Sequence, residues 1–181
     1  MLREGKPSTT YGTATNLSVD GHDGGGNNQV LLRFDGLFGP GGRIPQGARI
    51  TEATLTLQTT DEDGGAEIHR MLTAWSDETA TWESLEAGIQ ANGIEAVTEP
   101  DLVTGQQNTL EASTFDVTHS LQAWTSGADN HGWAFQALSN NGWDFSSSEG
   151  KAAPILTVTY SLDQTIVSNM TAGTEGGDWF L

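Results

Sequence analysis

Cysteine is absent from the 181 residues. Its absence excludes disulfides, thiolate metal sites and a cysteine nucleophile. Basic residues are scarce: 7 Lys and Arg stand against 24 Asp and Glu, for a formal net charge of −17. So few cations argue against nucleic acid as a partner, because phosphate binding needs clustered Lys and Arg. An anionic membrane surface is disfavoured on the same ground. No apolar run approaches the roughly 20 residues of a membrane span, so no membrane insertion is expected. The opening Met1-Leu2-Arg3-Glu4-Gly5 does not read as a signal peptide.

Glycine and large aromatics are present in quantity, with 23 Gly, 6 Trp and 6 Phe. The aromatics exclude a disordered chain, and the glycines imply many turns. Period-two alternation recurs along the chain, the mark of half-buried strands. Val30, Leu32 and Phe34 share one face. Ala53, Leu55 and Leu57 alternate with Thr54, Thr56 and Gln58. Trp133 and Phe135 alternate with Ala134 and Gln136, and Trp143 and Phe145 with Asp144 and Ser146. Leu156, Val158 and Tyr160 oppose Thr157 and Thr159. With weaker runs at 15–20, 66–72 and 109–117, about eight strands are expected.

Gly-rich loops separate these runs at residues 20–26, 39–42 and 61–65. One short helix is predicted at about 118–126, capped by Thr118 and ended by Gly127, with Val117, Leu121 and Trp124 on one face. Residues 83–107 lack periodicity and read as a long connection. The expected fold is all-β, an antiparallel β-sandwich of jelly-roll type with one short helix. The domain spans residues 1–161, and residues 162–181 form a C-terminal tail.

A series of short motifs carries a likeness. It starts with Arg3-Glu4-Gly5, Tyr11-Gly12 and Leu17-Ser18-Val19-Asp20-Gly21. Leu31-Leu32-Arg33-Phe34-Asp35 and Ile50-Thr51-Glu52-Ala53-Thr54-Leu55 follow. The most distinctive is Trp75-Ser76-Asp77-Glu78-Thr79-Ala80-Thr81-Trp82. Later come Asp116-Val117-Thr118, Gln122-Ala123-Trp124, His131-Gly132-Trp133 and Gly142-Trp143-Asp144-Phe145. In this order and spacing the chain resembles the DNRLRE-type modules, a family of β-sandwich domains that includes carbohydrate-binding modules. The likeness covers roughly residues 2–161. It implies a jelly-roll-like sandwich without enzymatic activity, used as an accessory module on extracellular or surface proteins.

Three residue sets are candidates for function. Asp20 and Asp23 lie in a Gly-rich loop, and Asp144 and Glu149 flank the Trp143–Ser148 run. Calcium takes six to eight oxygens of the kind such loops supply, so Ca2+ is the expected ion. Ordinary turn chemistry explains the same residues without a metal. Asp61-Glu62-Asp63-Gly64 resembles the start of an EF-hand loop but lacks its later acids. Trp75 and Trp82 flank the acidic pair Asp77 and Glu78. One ring would stack on a sugar while the carboxylates accept from its hydroxyls; alternatively the rings fill the core, as expected for at least one of them. Arg33 is expected to pair with a nearby carboxylate. In the tail, Trp179, Phe180 and Leu181 form an apolar end suited to docking on a partner, or to folding back on the domain.

Catalysis finds little support. There is no Gly-x-Ser-x-Gly, no His-Glu-x-x-His and no phosphate loop, and His22, His69, His119 and His131 are scattered. Two classes of function remain open. One is a non-catalytic, calcium-associated module that binds polysaccharide. The other is a structural or decorating subunit of a virion, capsid or surface fibre, homo-oligomeric and docked through its tail. Either is expected outside the cell, whether secreted, on a cell surface or on a virion. A net charge of −17 argues against direct binding of a polyanionic glycan unless cations bridge it.

Overall fold

The computed structural model describes residues 1–22 and 24–162. Asp23 and the expected docking residues Trp179, Phe180 and Leu181 lie outside the described residues. In chain order the elements are β1 (Leu2–Arg3), β2 (Asn16–Val19), β3 (Asn28–Leu32), β4 (Arg49–Asp61), β5 (Ala66–Arg70), β6 (Leu102–Val103), β7 (Ala112–Asp116), α1 (Thr118–Thr125), β8 (Trp133–Ala137), β9 (Trp143–Ser146) and β10 (Ile155–Ser161). They form two antiparallel sheets. One runs β1-β3-β8-β5-β6; the other runs β10-β4-β9-β2, with β7 also paired to β4. The protein is a β-sandwich with one short helix. Two strands beyond the expected eight, β1 and β6, have two residues each, too short to show alternation.

The core between the sheets follows from that alternation. Ala53, Leu55 and Leu57 of β4 point inward and are fully buried, while Thr54, Thr56 and Gln58 point away. Val30, Trp133, Phe135, Trp143 and Phe145 meet them from the neighbouring strands. The aromatic rings touch in tilted pairs: Trp124–Trp133 and Trp143–Phe145 at 4.8 Å, Phe135–Phe145 at 5.5 Å. A buried indole needs an acceptor for its N–H. Trp133 Nε1 donates to Ser120 Oγ at 2.8 Å, and Trp143 Nε1 donates to Thr59 Oγ1 at 3.1 Å. Those two indoles account for the burial of Ser120 and Thr59 beside the aromatic core.

Several details depart from simple alternation. Phe34 lies beyond the end of β3, though it still packs on the core edge-on to Trp133. A bulge between Thr159 and Tyr160 breaks the register of β10. Leu156 and Val158 therefore pack on the core while Tyr160 is turned outward. Thr118 does not cap α1. It is the first helical residue, and its Oγ1 accepts from Ala53 N at 2.9 Å instead. The Asp116 carboxylate accepts from Thr118 N at 2.8 Å and does the capping work from one position further out.

A second, smaller core lies on the outer face of the first sheet. Leu2, Leu31 and Ala134 point outward from β1, β3 and β8. Met71, Ala80, Trp82, Ile89 and Ala96 cover them. The long segment between β5 and β6 is thus a packed cover. It leaves a cavity at each end of β3, and these cavities are the molecule's sites of interest.

Candidate functional site

The first cavity opens where β3 ends, β2 begins and β9 ends. Its volume is about 160 Å³. Met1, Leu17, Leu31 and Leu32 supply apolar lining. The polar lining comes from four separate segments: Tyr11, Arg33 with Asp35, Trp75 with Asp77, and Ser147 with Ser148. Trp75 and Asp77 are two of the four residues singled out as ligand-binding from sequence.

Arg33 organises the site. Its guanidinium lies over the Trp75 ring, 5.0 Å from the centroid. Nη1 donates to Trp75 O at 2.9 Å, and Nε donates to Asp35 Oδ1 at 2.6 Å. The carboxylate partner expected for Arg33 is therefore Asp35. Trp75 Nε1 donates to His131 O at 2.8 Å. The indole is held at its nitrogen and covered by a cation on one face, so it is a fixed wall. A second cation–aromatic pair, Arg3 over Tyr11 at 5.3 Å, stiffens the opposite side. Arginine carries five N–H donors, and some of Arg33's remain available to a ligand.

The loop that carries Asp77 is pressed against the Tyr11 turn. A Cβ on Gly12 would lie 2.8 Å from the Asp77 carbonyl oxygen, so the close approach requires glycine there. Ser147 fixes the last wall by donating from Oγ to Ala14 O at 2.6 Å. Asp77 and Ser148 are exposed at the mouth. The result is a concavity with rigid aromatic walls, an apolar floor and a mixed set of donors and acceptors. Such a surface suits a ligand that is apolar on its ring faces and polar at its edges.

The other two sequence-level candidates do not join this cavity. Glu78 is exposed and lines neither cavity of β3. Trp82 is buried in the outer-face core, its ring edge against Gly88, where an added Cβ would lie 2.8 Å from the indole. Tyr11, Asp35 and Ser148 were missed as site residues. Nothing in the sequence signals that loops so far apart share one end of the sandwich.

The metal candidates are dispersed. Asp144 pairs opposite Ser18, and Asp20 lies just past β2 at the β3-start end. Glu149 lies beyond the other end of β9, where Ser147 Oγ accepts from its N at 3.0 Å. The strand pair therefore separates Glu149 from Asp20. Among the described residues no three His, Asp or Glu side chains converge on a metal-sized site. Burial, with the Asp61 charge adding to it, pushes the Asp144 carboxyl above its usual range against a hydrogen bond from Ser18.

One cluster has the residue types of a hydrolase but not its geometry. Ser120 Oγ donates to Asp101 Oδ2 at 2.6 Å, Arg70 Nε lies 2.6 Å from the same oxygen, and His119 Nδ1 is 3.2 Å from Oδ1. The serine is bound to the carboxylate rather than to the imidazole, and it is fully buried. Its hydroxyl is held between the Asp101 carboxylate and the Trp133 indole N–H, so the cluster ties α1 to β8 and to the segment before β6.

The model of carbohydrate-binding module family 96 matches residues 2–160. The chain belongs to that family. The match covers both sheets, the helix and the four segments that supply the polar lining of the first cavity. A search of curated proteins finds no significant match.

Proposed function

We propose that this module is a non-catalytic carbohydrate-recognition domain that holds a sugar residue in the Tyr11–Arg33–Trp75 cavity. The convergence of two fixed aromatic rings with Arg33, Asp35 and Asp77 in one concavity carries this reading. An indole or phenol ring offers an apolar wall to a pyranose ring. The guanidinium and carboxylates offer paired donors and acceptors to vicinal hydroxyls. Family membership supports the ligand class, and the motif series from Arg3 to Phe145 supports a DNRLRE-type module. Titration calorimetry against a panel of oligosaccharides tests the assignment. Trp75→Ala and Arg33→Ala are each expected to weaken binding at least tenfold with the fold retained. Binding unaffected by both variants would move the site elsewhere.

On this reading the protein acts outside the cell, where polysaccharide is met. Calcium is proposed as an associated ion, on the net charge of −17 and the carboxylates of Asp20 and Asp144. A native-state ligand raises the melting temperature, so chelator should lower it relative to millimolar calcium at equal ionic strength.

A second reading, a subunit of a surface assembly, draws on the edge strand β10. It ends its sheet's strand order and leaves Ile155, Tyr160 and the following Leu162 exposed. Light scattering across a concentration series tests it, and a monomer throughout would weigh against it.

A further inference from the structure

The second cavity lies at the opposite end of β3, where the Ala87–Ala91 turn crosses the sheet. Its volume is about 460 Å³, larger than the first. Five carboxamides line it: Asn27, Asn28, Gln29, Gln90 and Gln136. Three are anchored. Gln29 clamps Ile89 with both ends of its amide, donating to Ile89 O at 3.0 Å and accepting from Ile89 N at 2.7 Å. Gln136 Nε2 donates to the same carbonyl at 2.8 Å, and Asn27 Nδ2 donates to Glu4 Oε2 at 3.0 Å. These bonds fix the wall but leave amide oxygens on Asn27 and Gln136 for an incoming group. The amides of Asn28 and Gln90 make no side-chain hydrogen bond among the described residues.

The roof is held in an uncommon conformation. Glu86, Ala87 and Gly88 are three consecutive residues with positive φ, at 50°, 75° and 84°. Side-chain-bearing residues rarely adopt this region, and such strain is kept where a site needs a particular shape. Trp82 forms part of the wall, so the paired tryptophans of the Trp75–Trp82 segment supply one ring to each cavity.

We infer that this second cavity is an independent subsite for a neutral, hydroxyl-rich sugar residue, so that one module engages glycan at two points. The inference rests on the carbohydrate reading for its ligand class. Its own support is the lining. A carboxamide presents a donor and an acceptor side by side, which matches two adjacent hydroxyls. Among the described residues no Lys or Arg lines the cavity, and the charged groups that do are the carboxylates of Glu4 and Asp20. An anionic sugar would be repelled there. The two sites open at opposite ends of β3, so they are read separately.

The test uses the full chain, with neutral gluco-, manno-, xylo- and galacto-configured hexasaccharides as probes. Calorimetry gives stoichiometry, and nuclear magnetic resonance follows the side-chain amide signals of Asn28, Gln90 and Gln136. The parent should bind at two sites and shift those amides. Asn28→Ala with Gln90→Ala should weaken the amide site at least tenfold and leave binding at Trp75 intact, which also shows that the variant is folded. Trp75→Ala should do the reverse. Sugar shifts confined to the Trp75 cavity would overturn the inference and leave the first site standing. Shifts confined to the amide cavity would uphold it and overturn the first site. Binding of hexauronates but not neutral sugars at the amides would overturn the neutral assignment. No binding by any probe would overturn both.

Discussion

The molecule has two cores, and they were built by different means. Between the sheets, inward positions on β4, β8 and β9 alternate with outward ones, and large aromatics interlock. On the outer face of the first sheet, Leu2, Leu31 and Ala134 are covered by Met71, Trp82, Ile89 and Ala96 from a segment with little regular structure. The first core is made by strands packing on strands and holds the sandwich together. The second is made by a loop packing on a strand and shapes the cavities at its two ends. The contrast predicts that damage to the first is global, while damage to the second is local and reaches function first.

The largest effect should come from Trp133→Ala. It removes a fully buried ring, its contacts with Phe34 and Trp124, and the donor to Ser120. A loss of about 3–5 kcal/mol is expected, read as a large fall in the urea midpoint. A loss below about 1 kcal/mol would contradict the ranking.

Gly88→Ala comes next and breaks the second core. The new methyl meets both the Trp82 ring and Gln29 Oε1 at 2.8 Å in a positive-φ residue. A cost of about 1–3 kcal/mol is expected. Hydrogen exchange should rise in residues 82–91 while β4 and β9 stay protected. Equal loss of protection in β4 would show that the two cores are one unit.

Gly12→Ala is expected to be milder in stability and stronger in binding. It forces the Asp77 backbone away from the Tyr11 turn. The melting temperature should fall by only a few degrees, of the order that about 1 kcal/mol produces in a chain of this size, while sugar affinity at the first cavity drops. Unchanged affinity would detach Asp77 from the site.

The smallest effect belongs to Asp144→Asn, which touches neither core. Burial and Asp61 raise the Asp144 pKa above its ordinary 3.8. A raised carboxyl means that the folded state holds its proton longer than the unfolded chain. Stability is therefore lost as pH rises from about 3.8 through the folded-state pKa, and the loss persists above it. In chelator, with no calcium to hold, the variant should melt slightly higher than the parent at pH 7 and match it below about pH 3.8. A difference that grows toward low pH would have the wrong sign.

The same division decides what the sequence could reveal. Ala53, Leu55 and Leu57, the pairs Trp133 with Phe135 and Trp143 with Phe145, and Val117, Leu121 and Trp124 all lie where their spacing puts them, because period and burial are linked locally. The bulge before Tyr160 was hidden, since nothing in a run of alternating residues marks where pairing slips. The site was half legible. Trp75 and Asp77 stand out in an unusual motif, but Trp82 looks identical to Trp75 in sequence and ends under Gly88. Asp144 and Glu149 are neighbours in the chain, and the end of β9 carries the second away from Asp20. Tyr11, Asp35 and Ser148 meet only because β2, β3 and β9 share one end of the sandwich, a fact of topology rather than of local pattern.

Carbohydrate binding in the Tyr11–Arg33–Trp75 cavity is open to direct test. The most direct measurement is a calorimetric titration of the parent and Trp75→Ala with the best oligosaccharide from a broad panel, in calcium. The parent should bind saturably without turning over the sugar, and the variant should lose at least tenfold in affinity at an unchanged urea midpoint for unfolding. Equal binding by both proteins, or hydrolysis of the oligosaccharide by the parent, would contradict it.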